Sequence, residues 1–227
     1  MPDAAVIAGL AALGAALVIR LIARFGARGL VRSSSPWSFG AGAAAALIVL
    51  VVAPSDTPSK ELLAGLAAGV VLAVACTVLG RGGAAAARGR AVCSYVAAAA
   101  PVAAGLRIEV TGSTEVDTAV TIVMIGATAR SFARWDGHPD LAPWATAVLA
   151  FGAAACAAVH DLDPSVIVAA GLFGASAGVI LGHVGTGAGP HLGDATSRAA
   201  GFVLAVVALR AASVSAFPAS AIGQGFR

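Results

Sequence analysis

Long apolar stretches alternate with short polar ones along the whole chain. Eight stretches read as spanning helices: Ala4–Ile22, Trp37–Ala53, Leu62–Gly80, Val92–Leu106, Val116–Ala133, Leu141–Val159, Val166–Leu181 and Ala199–Phe217. A helix crossing the hydrocarbon core needs about 20 mostly apolar residues, with about 17 tolerated. The first, third, sixth and eighth meet this plainly. The fourth is short and holds Pro101, which is expected to kink it. The fifth has an apolar centre of only Thr118–Ala129. Neither a separate soluble domain nor an internal repeat interrupts the pattern. The reading is an all-α polytopic membrane helix bundle of about eight transmembrane helices, with residues 1–227 forming a single transmembrane domain.

Composition sharpens this. Of the 227 residues, 59% are hydrophobic and 11% are charged, against roughly 25% charged in a soluble domain. So little charge cannot coat a soluble surface, and so much apolar mass excludes disorder. The apolar mass is mainly Ala, Val, Leu and Gly, and small residues let membrane helices approach closely. The net charge of +3 does not imply nucleic acid, because the basic residues form no patch interleaved with aromatics. Cys76, Cys93 and Cys156 fall inside apolar runs with neither disulfide nor zinc spacing, and read as small core residues. Met1-Pro2-Asp3 carries no positive n-region, so a cleavable signal is not expected.

Charge also gives an orientation. Ten of the fourteen basic residues fall on one set of connections: Arg20, Arg24, Arg28, Arg32, Arg81, Arg88, Arg90, Arg130, Arg134 and Arg198. That side is expected to be cytoplasmic. With eight spans, both termini then face outward. Asp3, Asp56, Glu61, Glu109, Glu115, Asp117, Asp161 and Asp163 fall on the outer side. Only Asp136, Asp140 and Asp194 face the cytoplasm. They either pair with Arg130, Arg134 or Arg198, or point at a metal or polar substrate at the membrane face. The basic cluster Arg20–Arg32 reads as a topology determinant, or as a contact for anionic headgroups. The glycine-rich stretch His183–Gly193 lacks the lysine of a phosphate-binding loop and reads as a flexible connection.

Two connections carry chemistry. One is Arg130-Ser131-Phe132-Ala133-Arg134-Trp135-Asp136-Gly137-His138-Pro139-Asp140-Leu141-Ala142, and the other is His191-Leu192-Gly193-Asp194-Ala195-Thr196-Ser197-Arg198, followed by Ala199-Ala200-Gly201-Phe202. They resemble the NAFNxxDGxDGLA and GDxGSxxxGF patterns of the MraY/WecA family of polyprenyl-phosphate phospho-sugar transferases. Asp136-Gly137 and Leu141-Ala142 match the first pattern. Gly193, Asp194, Ser197, Gly201 and Phe202 match the second. Thr77-Val78-Leu79 followed by Arg88 and Arg90 is similar to a third family loop.

The resemblance implies a multi-pass plasma-membrane protein of cell-envelope precursor biosynthesis. It implies transfer of a sugar-1-phosphate from a UDP-sugar to polyprenyl phosphate at cytoplasmic loops, with Mg²⁺ as cofactor. Asp136 would be the catalytic residue and metal ligand. Gly193, Asp194, Ser197, Arg88 and Arg90 would bind substrate. A homo-oligomer or an envelope-enzyme partner is compatible with this reading, and nucleic acid is not.

The departures from the family are specific. Gly80-Arg81 stands where the family has paired aspartates. Arg130 and Ala133 replace two asparagines. Pro139 takes an aspartate's place, with Asp140 one residue later, and Thr196 replaces a glycine. The C-terminal histidine loop has no counterpart, and His138, His183 and His191 do not form one. Phosphoryl transfer between two anions needs charge neutralisation, usually by Mg²⁺ on carboxylates. An arginine in the place of those carboxylates repels the metal. A catalytically inactive relative that binds the lipid carrier or partners an envelope enzyme is therefore the strongest alternative, and a small membrane transporter is the third.

Overall fold

The computed structural model describes residues 6, 9–14, 59–79, 83–138, 140–184 and 190–215. These are all helix and connection, with no strand among them. Six long helices follow one another: α1 (Lys60–Val78), α2 (Ala84–Ala103), α3 (Thr114–Trp135), α4 (Leu141–Val159), α5 (Asp163–His183) and α6 (Asp194–Ser215). Residues 9–14 are also helical. Of the expected first two spans, Trp37–Ala53 and all of Ala4–Ile22 except this piece and Val6 lie outside the described residues. So do Arg20–Arg32, Gly80-Arg81, Pro139 and the glycine-rich centre 185–189.

Among the described residues five helices, all of the six except α2, are long and apolar enough to cross a membrane. The expectation of about eight spans is thus met only in part. The expected span Val92–Leu106 instead belongs to a helix that starts at Ala84 and takes in Arg88 and Arg90, which lower its apolarity. Pro101 sits in its last turn, where little helix remains for it to interrupt.

Most helices also outrun their apolar windows. The stretch Arg130–Trp135 is the end of α3, and Asp194–Arg198 is the start of α6, rather than loop. The reason is that apolarity marks the part of a helix suited to lipid, whereas helix ends are set by caps and turn residues. The acidic first turns of α3 (Glu115, Asp117) and α6 (Asp194) suit the positive end of the helix dipole. Pro143 and Pro164 lie in the first turns of α4 and α5, where a missing N–H costs nothing.

The helices run in alternating directions, so their ends gather at two poles. α6 is the axis, with α1 and α3 on its flanks and α2 bridging those two. The hairpin of α4 and α5 docks on α6 mainly through α4. Small residues make these approaches possible. A Cβ on Gly65 would fall 2.6 Å from the Val206 side chain, and one on Gly126 would fall 2.3 Å from the Tyr95 ring. Such close packing holds helices together where lipid gives no hydrophobic drive between them.

The tightest glycine approach among the described residues joins residues 9–14 to α5. A Cβ on Gly174 would lie 2.1 Å from the carbonyl oxygen of Gly9. Backbone cannot rotate out of the way as a side chain can. Gly174→Leu is therefore expected to undock this segment. Ala12, fully buried one turn further along, provides the readout. With the native cysteines changed to alanine, an Ala12→Cys thiol is expected to resist labelling, and to react when Gly174→Leu is added. Equal labelling in both would show that the crossing is not what shields Ala12.

The pole opposite the two motif stretches is also closed by side chains. The buried Asp117, 1% exposed, takes the N–H groups of Val110 and Thr111 at 3.2 and 2.9 Å, and the Thr111 hydroxyl at 2.9 Å, all on Oδ1. Thr121 accepts the N–H of Ile108 at 3.2 Å. The turn between α2 and α3 is thereby tied to α3. On α6, Arg210 donates to the Ser59 hydroxyl just ahead of α1.

Candidate functional site

At the other pole the two motif stretches meet. α3 ends at Trp135, and Asp136 follows at the start of a short turn closed by Gly137 N–H to Arg134 O (3.2 Å) and His138 N–H to Trp135 O (3.0 Å). The Asp136 carboxylate then reaches across to the entry of α6. Its Oδ1 accepts the N–H of Leu192 at 3.0 Å, the N–H of Gly193 at 3.0 Å and the Ser197 hydroxyl at 3.1 Å. Asp136 thus caps α6 from a neighbouring helix, its negative charge lying at the positive end of the helix dipole. Gly193 has φ 86°, in the left-handed region that favours glycine. That conformation lets the chain turn into α6.

One turn deeper the same two helices touch again. A Cβ on Gly201 would lie 2.6–2.8 Å from the Cγ, Cδ2 and Cβ of Phe132. Phe132 and Asp136 are four residues apart on α3 and its end. Gly193, Ser197 and Gly201 are spaced four apart through the start of α6. Four-residue spacing puts residues on one helix face. The motif residues are thus two facing stripes of a helix joint. Phe202, the next motif residue, is fully buried in the core. A further backbone bond, Asp140 N–H to Pro190 O at 3.4 Å, links the two turns again. Asp140 itself adopts φ 70° and is exposed.

The second acid stands in a different circle. Asp194, with a side chain 47% exposed, places Oδ1 3.1 Å from Arg198 Nη2 and Oδ2 3.4 Å from Arg90 Nε. Arg198 is buried, at 6% exposure. Its Nη1 donates to the Ser94 hydroxyl at 3.2 Å, and that hydroxyl donates to the carbonyl of Arg90 at 3.1 Å. The circle ties α6 to α2. Thus five of the six residues expected to form the site, Asp136, Gly193, Asp194, Ser197 and Arg90, come together at this pole. Arg88 does not join them. It is exposed, and its Nε donates to the Ala84 carbonyl of its own helix at 3.4 Å.

The expected pairing of the acids with arginines holds for Asp194 and Arg198. No ion pair of Arg130 or Arg134 occurs among the described residues. Arg198 and Ser94 carry more of this pole than their sequence context suggests. The signal for the first is the Asp194/Arg198 spacing of four, and for the second the Arg90/Ser94 spacing of four. Cys76 is buried as expected for a small core residue, whereas Cys156 is exposed.

Among the described residues these side chains do not assemble a ligand set for a magnesium ion. Mg²⁺ demands several hard oxygen ligands in near-octahedral order. Asp136 Oδ1 already carries three donors, and both oxygens of Asp194 face guanidinium groups. Among the described residues no three His, Cys, Asp or Glu side chains gather in a way that could hold a metal. His138 and His191 are exposed, and His183 Nδ1 sits 2.8 Å from the Val179 carbonyl of its own helix.

On the outside of α1, beside α2, lies an apolar hollow of about 480 Å³ lined by Val70, Val74, Val78, Leu79 and Cys93 among others. Cys93 is one helical turn from Arg90. Compared with models of known protein families, with curated proteins and with solved structures, the chain matches none.

Proposed function

We propose that the protein is a catalytically silent relative of the polyprenyl-phosphate phospho-sugar transferases that holds a polyprenyl phosphate and serves an envelope-building enzyme as its partner. In this reading eight spans lie in the plasma membrane and the motif pole faces the cytoplasm. The observation that carries it is the use made of Asp136. The residue that would hold Mg²⁺ in an active relative is here the cap of α6, with Leu192, Gly193 and Ser197 donating to a single oxygen. The motif residues keep a fold-building role without the carboxylate set that charge neutralisation of two phosphates requires. The arginines Arg90 and Arg198 suit a phosphate headgroup. The apolar hollow beside Cys93 suits the first units of an isoprenoid chain.

The test is an assay on the purified full chain in lipid nanodiscs with UDP-sugars, polyprenyl phosphate and Mg²⁺. The expected result is no release of UMP with any UDP-sugar, together with saturable binding of polyprenyl phosphate. Release of UMP that Asp136→Asn abolishes would replace this reading with an active transferase. Flux of a solute through proteoliposomes lacking both lipid phosphate and nucleotide would replace it with a transporter.

A further inference from the structure

We infer that Asp194 is an internal occupant of a phosphate-monoester site formed by Arg90 and Arg198, and that a ligand phosphate binds by displacing its carboxylate. The inference rests on the proposed lipid-phosphate reading and names how that site is built and guarded. Three observations carry it.

The first is charge. Arg198 is nearly sealed from water, and the one carboxylate that faces it among the described residues is shared with Arg90. Burying a cation without full compensation is costly. A phosphate-monoester dianion would bring Arg198 a second negative charge.

The second is geometry. The Asp194 carboxylate has two oxygens, and they serve Arg198 Nη2 and Arg90 Nε. Arg198 Nη1 is held by Ser94. That leaves Arg198 Nε, a buried donor with no acceptor among the described residues. Buried donors without partners are uncommon and call for an explanation. A phosphate presents a third oxygen, which is what this N–H lacks. Guanidinium groups recognise phosphate through pairs of N–H donors, and Nη2 and Nε form such a pair.

The third is the exposure of the guard. Arg198 is held in place by Ser94 and by burial, whereas Asp194 is half exposed at the very start of α6. Its side chain can turn to water without disturbing the helix joint, because Asp136 caps α6 independently through Leu192, Gly193 and Ser197. The site is therefore closed by a carboxylate in the free protein and opened by a better anion.

A competitor built into the protein lowers apparent affinity by the fraction of molecules it occupies. If Asp194 covers the site in about nine-tenths of molecules, its removal raises affinity about tenfold. The experiment uses the full chain in phosphatidylcholine nanodiscs. It reads the ligand concentration giving a half-maximal rise in unfolding temperature. The probes are polyprenyl phosphate, the phosphate-free polyprenol and inorganic phosphate.

Asp194→Asn is expected to need about tenfold less polyprenyl phosphate than wild type, Arg90→Gln at least tenfold more, and polyprenol is expected to have no effect. Should Asp194→Asn not fold, Arg90→Gln decides alone. Unchanged or weaker binding in Asp194→Asn, or unchanged binding in Arg90→Gln, overturns the inference. If wild type still binds polyprenyl phosphate in that case, the functional reading survives it. If inorganic phosphate follows the expected order of variants and the lipid does not bind, the site stands and the lipid-holding reading falls. If neither phosphate stabilises any variant, both fall.

Discussion

Asp136→Ala is expected to be among the most destabilising single changes at the motif pole. The substitution removes the one oxygen on which the Leu192 and Gly193 N–H groups and the Ser197 hydroxyl converge. Hydrogen bonds to a charged group contribute about 1.5–3 kcal/mol each, and donors left unsatisfied add to the loss. The three share one acceptor and are not additive, so a loss of about 3 kcal/mol is expected. Asp136→Asn keeps an acceptor oxygen and loses the charge at the helix start, so about half that loss is expected. Unfolding of the purified protein by heat or denaturant, compared across wild type, Asn and Ala, measures the order. Equal stability of Ala and wild type would mean that the cap contributes nothing. An Asn variant less stable than Ala would mean that an amide nitrogen is forced against the two N–H groups.

The second large effect belongs to Gly201. A methyl group there would sit 2.6–2.8 Å from three carbons of Phe132. One of the three is the Phe132 Cβ, so turning the ring does not clear the space. Either α3 moves away from α6 or the ring leaves its well. Overpacking of this kind costs about 1–3 kcal/mol, and about 2 kcal/mol is expected for Gly201→Ala. The partner can be identified by a double-mutant cycle. Phe132→Ala removes two of the three close carbons, so adding Gly201→Ala to it is expected to cost at least about 1 kcal/mol less than in wild type. A Gly201→Ala penalty that is the same in both backgrounds would place the clash elsewhere. Because Phe132 and Asp136 lie on the same stripe, Gly201→Ala is also expected to weaken the Asp136 cap.

Much of the bundle is legible in the sequence because lipid imposes a simple rule. Apolar length marks a span, and Leu141–Val159 is read with the same bounds in sequence and structure. The rule weakens where polar residues are helical. Arg88 and Arg90 sit in the first turns of α2, and Asp194–Arg198 open α6, yet hydropathy alone reads both as loop. The gathering of Asp136, Gly193, Asp194, Ser197 and Arg90 at one pole was legible through the two motif stretches. What each residue does there was not. Whether a carboxylate faces a metal or an N–H depends on where a second helix begins, and sequence spacing does not carry that distance. Ser94 and Arg198 are a case of the same limit. A serine within an alanine-rich run has no mark of its own, and only the packing of α2 against α6 reveals that it holds a buried guanidinium.

The central claim is that the two motif stretches form a helix joint in which Asp136 serves the fold. Hydrogen exchange at the Leu192 and Gly193 amides tests it most directly, measured in wild type and Asp136→Ala, with and without Mg²⁺. The account predicts protected amides in wild type whether or not Mg²⁺ is present. It predicts loss of protection at these two positions in Asp136→Ala while the middle of α6 stays protected. Amides that exchange freely in wild type, or whose protection falls when Mg²⁺ draws the Asp136 carboxylate away, would contradict it.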